Sequence, residues 1–157
     1  GERPRLVKDI NPGPRHSYPK PMIAVDSTLF FGAENLSYGR ELWKSDGTEA
    51  GTVMVMGSGS SPSHLTDVNG TLFFVAYDGV NGYELWKSDG TEAGTVLVKD
   101  IWTGSDSSMP WALTAVGSTL YFTADDGSNG IELWKSDGTT AGIMSLAFMG
   151  FAGMARP

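Results

Sequence analysis

Two histidines and a set of acidic side chains are the groups in this chain best suited to chemistry. His16, His64, Asp78 and Asp126 are the candidate catalytic residues. Glu34, Asp78, Asp106, Asp125 and Asp126 are the candidate metal ligands. Calcium takes about six to eight oxygens, which carboxylates, Asn and backbone carbonyls supply. Zinc prefers His with one carboxylate. An ion so held would polarise a phosphoester or ester for hydrolysis. Trp102, Trp111, Tyr18 and Tyr77 are the candidate ligand-binding aromatics. A plainer reading stands beside each. Asp78-Gly79 and Asp126-Gly127 are ordinary turn pairs, whose carboxylates bond local backbone. Neither histidine has a counterpart in the other units, which fits specialisation or a solvated loop. Ser63-His64 is adjacent in sequence, which carries no geometry.

A repeat must position these residues. The octapeptide E-L-W-K-S-D-G-T spans Glu41–Thr48, Glu84–Thr91 and Glu132–Thr139. Composition does not produce such a match, so the chain is an array of one unit, each too small to bury its own apolar face. Residues 6–53, 54–96 and 97–144 form the three units, and 145–157 is a divergent tail. Leu6–Ile10 aligns with Leu97–Ile101, so it reads as an outer strand that precedes the first full unit. Gly57–Ser61 stands where the third unit has Asp100–Met109, so the length change falls in a loop.

Each unit predicts a meander of four short strands. The first is Met22–Val25, Leu65–Val68 or Leu113–Val116, followed by a turn at Asp26-Ser27, Asn69-Gly70 or Gly117-Ser118. The second is Thr28–Ala33, Thr71–Ala76 or Thr119–Ala124. The third is Glu41–Ser45, Glu84–Ser88 or Glu132–Ser136. The fourth is Val53–Met56 or Val96–Ile101, and from Ile143 the pattern is lost. The last strand is supplied either by Ile143–Phe148 or by another copy's Leu6–Ile10. In Thr71–Ala76, Leu72, Phe74 and Ala76 share one face while Phe73 and Val75 share the other. Both faces are apolar, which fits sheets stacked face to face around an axis, as in a β-propeller. A solenoid or sandwich is the alternative. The D-G-T aspartates Asp46, Asp89 and Asp137 fit turn caps, and Trp43, Trp86 and Trp134 fit packing between sheets. Glu41, Glu84 and Glu132 either pair with Lys44, Lys87 and Lys135 or face solvent.

E-L-W-x-x-D-G-T followed by A-G-T resembles the ELWxxDGT repeat of large bacterial exported or surface proteins. The likeness runs from Leu6 to Gly142. It implies propeller-like repeats and an extracellular or cell-surface setting, and it names no catalytic residue. Propellers have about four to eight blades. Three units leave the ring open, and a homodimer would close a six-bladed one.

In such a meander the uniform D-G-T turns lie at one end and the variable loops at the other. The candidate residues above belong to the variable end. The expected function is a non-catalytic binding or scaffold module for a glycan, a protein or a small molecule. The alternatives are a hydrolase dependent on calcium or zinc, and a truncated piece of a larger surface protein. A net charge of −7 without a basic stripe argues against a nucleic-acid groove. Cysteine is absent, which excludes disulfides and thiolate metal sites. Gly1-Glu2-Arg3-Pro4 is no signal peptide, so any leader is expected to be lost or not included. The longest apolar stretch, Ile143–Ala155, is too short and too Gly-rich for a membrane span.

Overall fold

A computed structural model describes residue 1 and residues 3–146. These residues form three four-stranded antiparallel sheets and no helix. The first sheet holds β1 (Met22–Val25), β2 (Thr28–Asn35), β3 (Gly39–Ser45) and β4 (Val53–Met56). The second holds β5 (Ser63–Val68), β6 (Thr71–Tyr77), β7 (Tyr83–Ser88) and β8 (Val96–Lys99). The third holds β9 (Trp111–Val116), β10 (Thr119–Asp125), β11 (Ile131–Ser136) and β12 (Met144–Ser145). Each sheet is an up-and-down meander with its strands in sequence order. Among the described residues no helix is long and apolar enough to cross a membrane.

The hairpin turns follow from their residues. Asn69 (φ 50°) and Gly70 (φ 86°) both take the left-handed backbone that a two-residue turn of the primed type requires. Asn tolerates that region and Gly enters it freely. Registers across the central pair repeat from sheet to sheet: Phe31 faces Trp43, Phe74 faces Trp86, and Phe122 faces Trp134.

Two expectations are corrected at the strand ends. Among the described residues Leu6–Ile10 pairs with no sheet of its own chain and is not a strand there, which leaves its expected pairing with a second copy a separate matter. The edge it was expected to join, beside β11, is taken by β12 of the same chain. Leu146 extends that pairing by donating its amide to the Leu133 carbonyl at 2.7 Å. The segment lies instead over the first sheet, where Leu6, Val7 and Ile10 line a cavity with Leu29 and Phe31. β8 ends at Lys99 rather than Ile101, because the Ile101 amide leaves the ladder to bond the Glu84 carboxylate at 3.2 Å. The expected tail 145–157 lies outside the described residues from 147 onward, as do the last two residues of Ile143–Phe148.

The core sits between the sheets. Phe30, Leu42 and Val55 of the first sheet pack with Leu72, Phe74 and Ala76 of the second. Val68, Phe73, Leu85 and Val98 of the second pack with Leu120, Phe122, Ala124 and Trp134 of the third. The middle sheet is therefore covered on both faces, as the doubly apolar β6 requires. The first strands of neighbouring sheets lie against each other, β1 by β5 and β5 by β9. Phe31, Ala33 and Trp43 form a separate cluster on the outer face of the first sheet, with Ile10 packed on it.

Phe74 is fully buried between the first two sheets. Phe74→Ala is expected to lower unfolding free energy by about 3–5 kcal/mol, against less than about 0.5 for Val80→Ala on an exposed loop. Equilibrium denaturation in urea measures both, and equal effects would show that packing between the sheets does not dominate stability.

Candidate functional site

The D-G-T aspartates are taken up by their own turns. Asp46 Oδ1 accepts the Thr48 amide at 2.9 Å and its hydroxyl at 2.7 Å. Asp89 with Thr91, and Asp137 with Thr139, make the same pair of bonds. The threonine hydroxyl then accepts the amide of Gly51, Gly94 or Gly142 at 2.9 Å. A methyl at any of these glycines would overlap the aspartate carboxylate, which explains the A-G step of the repeat. The threonine bonds, side chain first, hold all three carboxyls below the usual range.

The repeated glutamate has a role that the sequence left open. It faces neither solvent nor lysine in the first two sheets. Glu41 and Glu84 are fully buried, and each carboxylate grips the link that leads to the next sheet. Glu41 accepts the amides of Gly59 at 2.6 Å and Ser60 at 3.2 Å, and the Ser60 hydroxyl at 3.0 Å. Glu84 accepts the amides of Ile101, Trp102 and Ser108, and the Ser108 hydroxyl at 2.5 Å. Burial pushes Glu84 up to about 6, against the opposing pull of these donors. The signal in the sequence was a serine recurring at one alignment position of the link.

The variable end does not gather the candidate residues into one centre. Asp78 accepts the amides of Val80 and Asn81 at 2.8 Å and the Asn81 side chain at 2.6 Å. Asp126 does the same with Ser128 and Asn129. Burial raises the pKa of Asp78, but the Asn81 and Val80 bonds outweigh it and the net shift is downward. The Asn129 and Ser128 amides lower that of Asp126. Asp125 accepts the Gly127 amide at 2.8 Å, and Glu34 pairs with Arg40 at 3.5 Å. The backbone of Asp106 closes over Gly82. Among the described residues, no three His, Asp or Glu side chains converge in a way that could hold a metal ion.

The aromatic candidates each meet a separate neighbour. His64, the second residue of β5, and Trp111, the first of β9, meet edge to face with ring centroids 4.3 Å apart. His64 Nδ1 lies 3.0 Å from the Ser63 hydroxyl, and burial lowers the His64 pKa. Trp111 remains 61% exposed. Trp102 packs its indole on Gly127 of the third sheet's loop. Tyr77 stacks obliquely on Tyr83 at 5.5 Å, and Tyr18 on His16 at 5.2 Å. An open cleft of about 420 Å³, lined by Tyr38, Met54, Met56, Asp78 and Glu92, was not foreseen from sequence. Its walls come from two sheets, so no single segment announces it.

A scan against models of known protein families finds no match, and no curated protein matches the chain in sequence.

The buried Glu84 makes stability depend on pH. Its folded pKa of about 6 lies above the ordinary 4.5, so the fold binds the proton more tightly than the unfolded chain does. That contribution is complete below pH 4.5 and is lost as pH rises through about 6. The melting temperature of the native chain should therefore fall relative to that of Glu84→Gln across this window. A constant difference would show that Glu84 does not titrate there.

Proposed function

We propose that this chain is a non-catalytic binding module of the propeller type, whose ligand rests on the exposed aromatic surface at the variable-loop end. The observation that carries this reading is the His64–Trp111 pair. An indole held edge-on by a neighbouring ring, and still largely open to water, offers a flat apolar face with fixed orientation. Sugars and extended peptides are bound by such faces, and a glycan is the ligand class favoured here. The repeated aspartates Asp46, Asp89 and Asp137 and the buried Glu41 and Glu84 are taken up by turns and links, which supports a non-catalytic reading.

The arrangement of the sheets supports a propeller: adjacent first strands, faces packed in series, and links running from each outer strand to the next inner one. Completion of a six-bladed ring by a second copy follows from the same reading. The resemblance to the ELWxxDGT repeat of bacterial surface proteins supports an extracellular setting and a scaffold role.

Titration with a panel of soluble oligosaccharides, followed by tryptophan fluorescence, tests the binding function. A saturable change that persists in chelator and disappears in Trp111→Ala is expected. Turnover of activated phosphoesters that chelator abolishes would overturn the non-catalytic assignment.

A further inference from the structure

The links between sheets share one geometry, and the segment that leads into the first sheet has it with no preceding sheet among the described residues. The carbonyl of Ser60 accepts the Tyr77 amide at 2.9 Å, and that of Ser108 accepts the Asp125 amide at 3.0 Å. The carbonyl of Ser17 accepts the Glu34 amide at 2.7 Å in the same way. The residue after each serine is left-handed: Ser61 at φ 43°, Met109 at 47° and Tyr18 at 42°. Non-glycine residues seldom adopt that backbone. Ser61 and Met109 use it to donate their amides to the carbonyls of Arg40 and Tyr83 in the preceding sheet, at 2.9 and 3.3 Å. Among the described residues Tyr18 has no such acceptor.

The third sheet carries the opposite half. Glu132 aligns with Glu41 and Glu84, yet among the described residues no donor reaches its carboxylate. Ile131 aligns with Arg40 and Tyr83, and its carbonyl receives no link amide there. The apolar positions around them follow suit. Leu133 is 47% exposed, where Leu42 and Leu85 are 0% exposed. Val116 is 60% exposed, where Val25 and Val68 are each 5% exposed.

We propose that the Glu132 carboxylate of one copy is gripped by the Ser17 link of a second copy, reproducing the Glu41–Ser60 and Glu84–Ser108 contacts across the junction. The inference rests on the ring reading above and names the residues that join it. The donors are the Ser17 hydroxyl and amide with the amides of Ile10 and Asn11, which align with Ile101 and Trp102. Tyr18 donates to the Ile131 carbonyl. By the register of β7 with β8, Lys8 then faces Leu133 and Leu6 faces Trp134. That is the place of β12, a two-residue strand, which gives way to the longer segment. The junction is head to tail, and two copies related by a two-fold rotation would present two identical junctions and close the ring.

Light scattering of the native chain, of Glu132→Ala and of Ser17→Ala tests the contact. Glu132 is only half-buried, so its variant should fold as the native chain does. The native chain is expected to weigh two copies, with association about tenfold weaker or more in either variant. Because the chain has no cysteine, S17C and E132C give a direct readout. A short bis-maleimide should join one chain of each kind in a mixture and join neither kind to itself. A native pair whose mass ignores both alanine variants, with no mixed cross-link, overturns the clamp and leaves the ring. A native chain that stays single overturns both, and leaves the glycan titration to judge the binding module.

Discussion

A strand that is apolar front and back must be covered on both sides, and this constraint governs the molecule. β6 carries Leu72, Phe74 and Ala76 on one face and Phe73 and Val75 on the other, all buried. One packed layer cannot satisfy it. Each buried Phe contributes roughly 1.5–3 kcal/mol, so the sheets associate in series and no sheet in the series is a stable unit alone. The clusters on either side of the second sheet are the result.

Serial packing creates a polar problem, since every link between sheets turns back with its amides pointing inward. The buried glutamates answer it. A carboxylate in a dry interface is costly unless its oxygens are bonded. Glu84 accepts four bonds from a single link. The octapeptide thus divides its work: Glu41 and Glu84 tie their sheets to the next link, Trp86 and Trp134 pack between sheets while Trp43 lies on the outer face of the first, and S-D-G-T closes the far turn. Gly51, Gly94 and Gly142 are excluded volume for the aspartates, which makes the last part of the motif as constrained as the first.

Much of this was legible in one dimension. Alternation within Thr71–Ala76, the Asn69-Gly70 turn and the octapeptide spacing predict the strands, and their ends differ from expectation by a few residues. β2 outruns Ala33 by two residues because Glu34 and Asn35 keep their pairing with Arg40 and Gly39. Leu6–Ile10 departs from expectation because alignment with Leu97–Ile101 reports strand character but not which edge is free. The candidate site was less legible. Asp78 and Asp126 look alike as turn caps or as ligands in sequence, and the choice depends on where Asn81 and Asn129 point. The His64–Trp111 contact joins residues from different units, which no local pattern encodes.

Residue periodicity and repetition determined the strand order, the turn chemistry and the need for two covered faces, because these are set by neighbours within a few positions along the chain. Folding in three dimensions decided the rest: that Glu41 and Glu84 are buried and bonded rather than solvated, that Asp78, Asp125 and Asp126 cap their own turns while Glu34 pairs with Arg40, and that His64 meets Trp111. Those outcomes depend on distances between segments some 17 to 47 residues apart (Glu84 to Ile101, His64 to Trp111), and only the packed sheets bring such segments within bonding range.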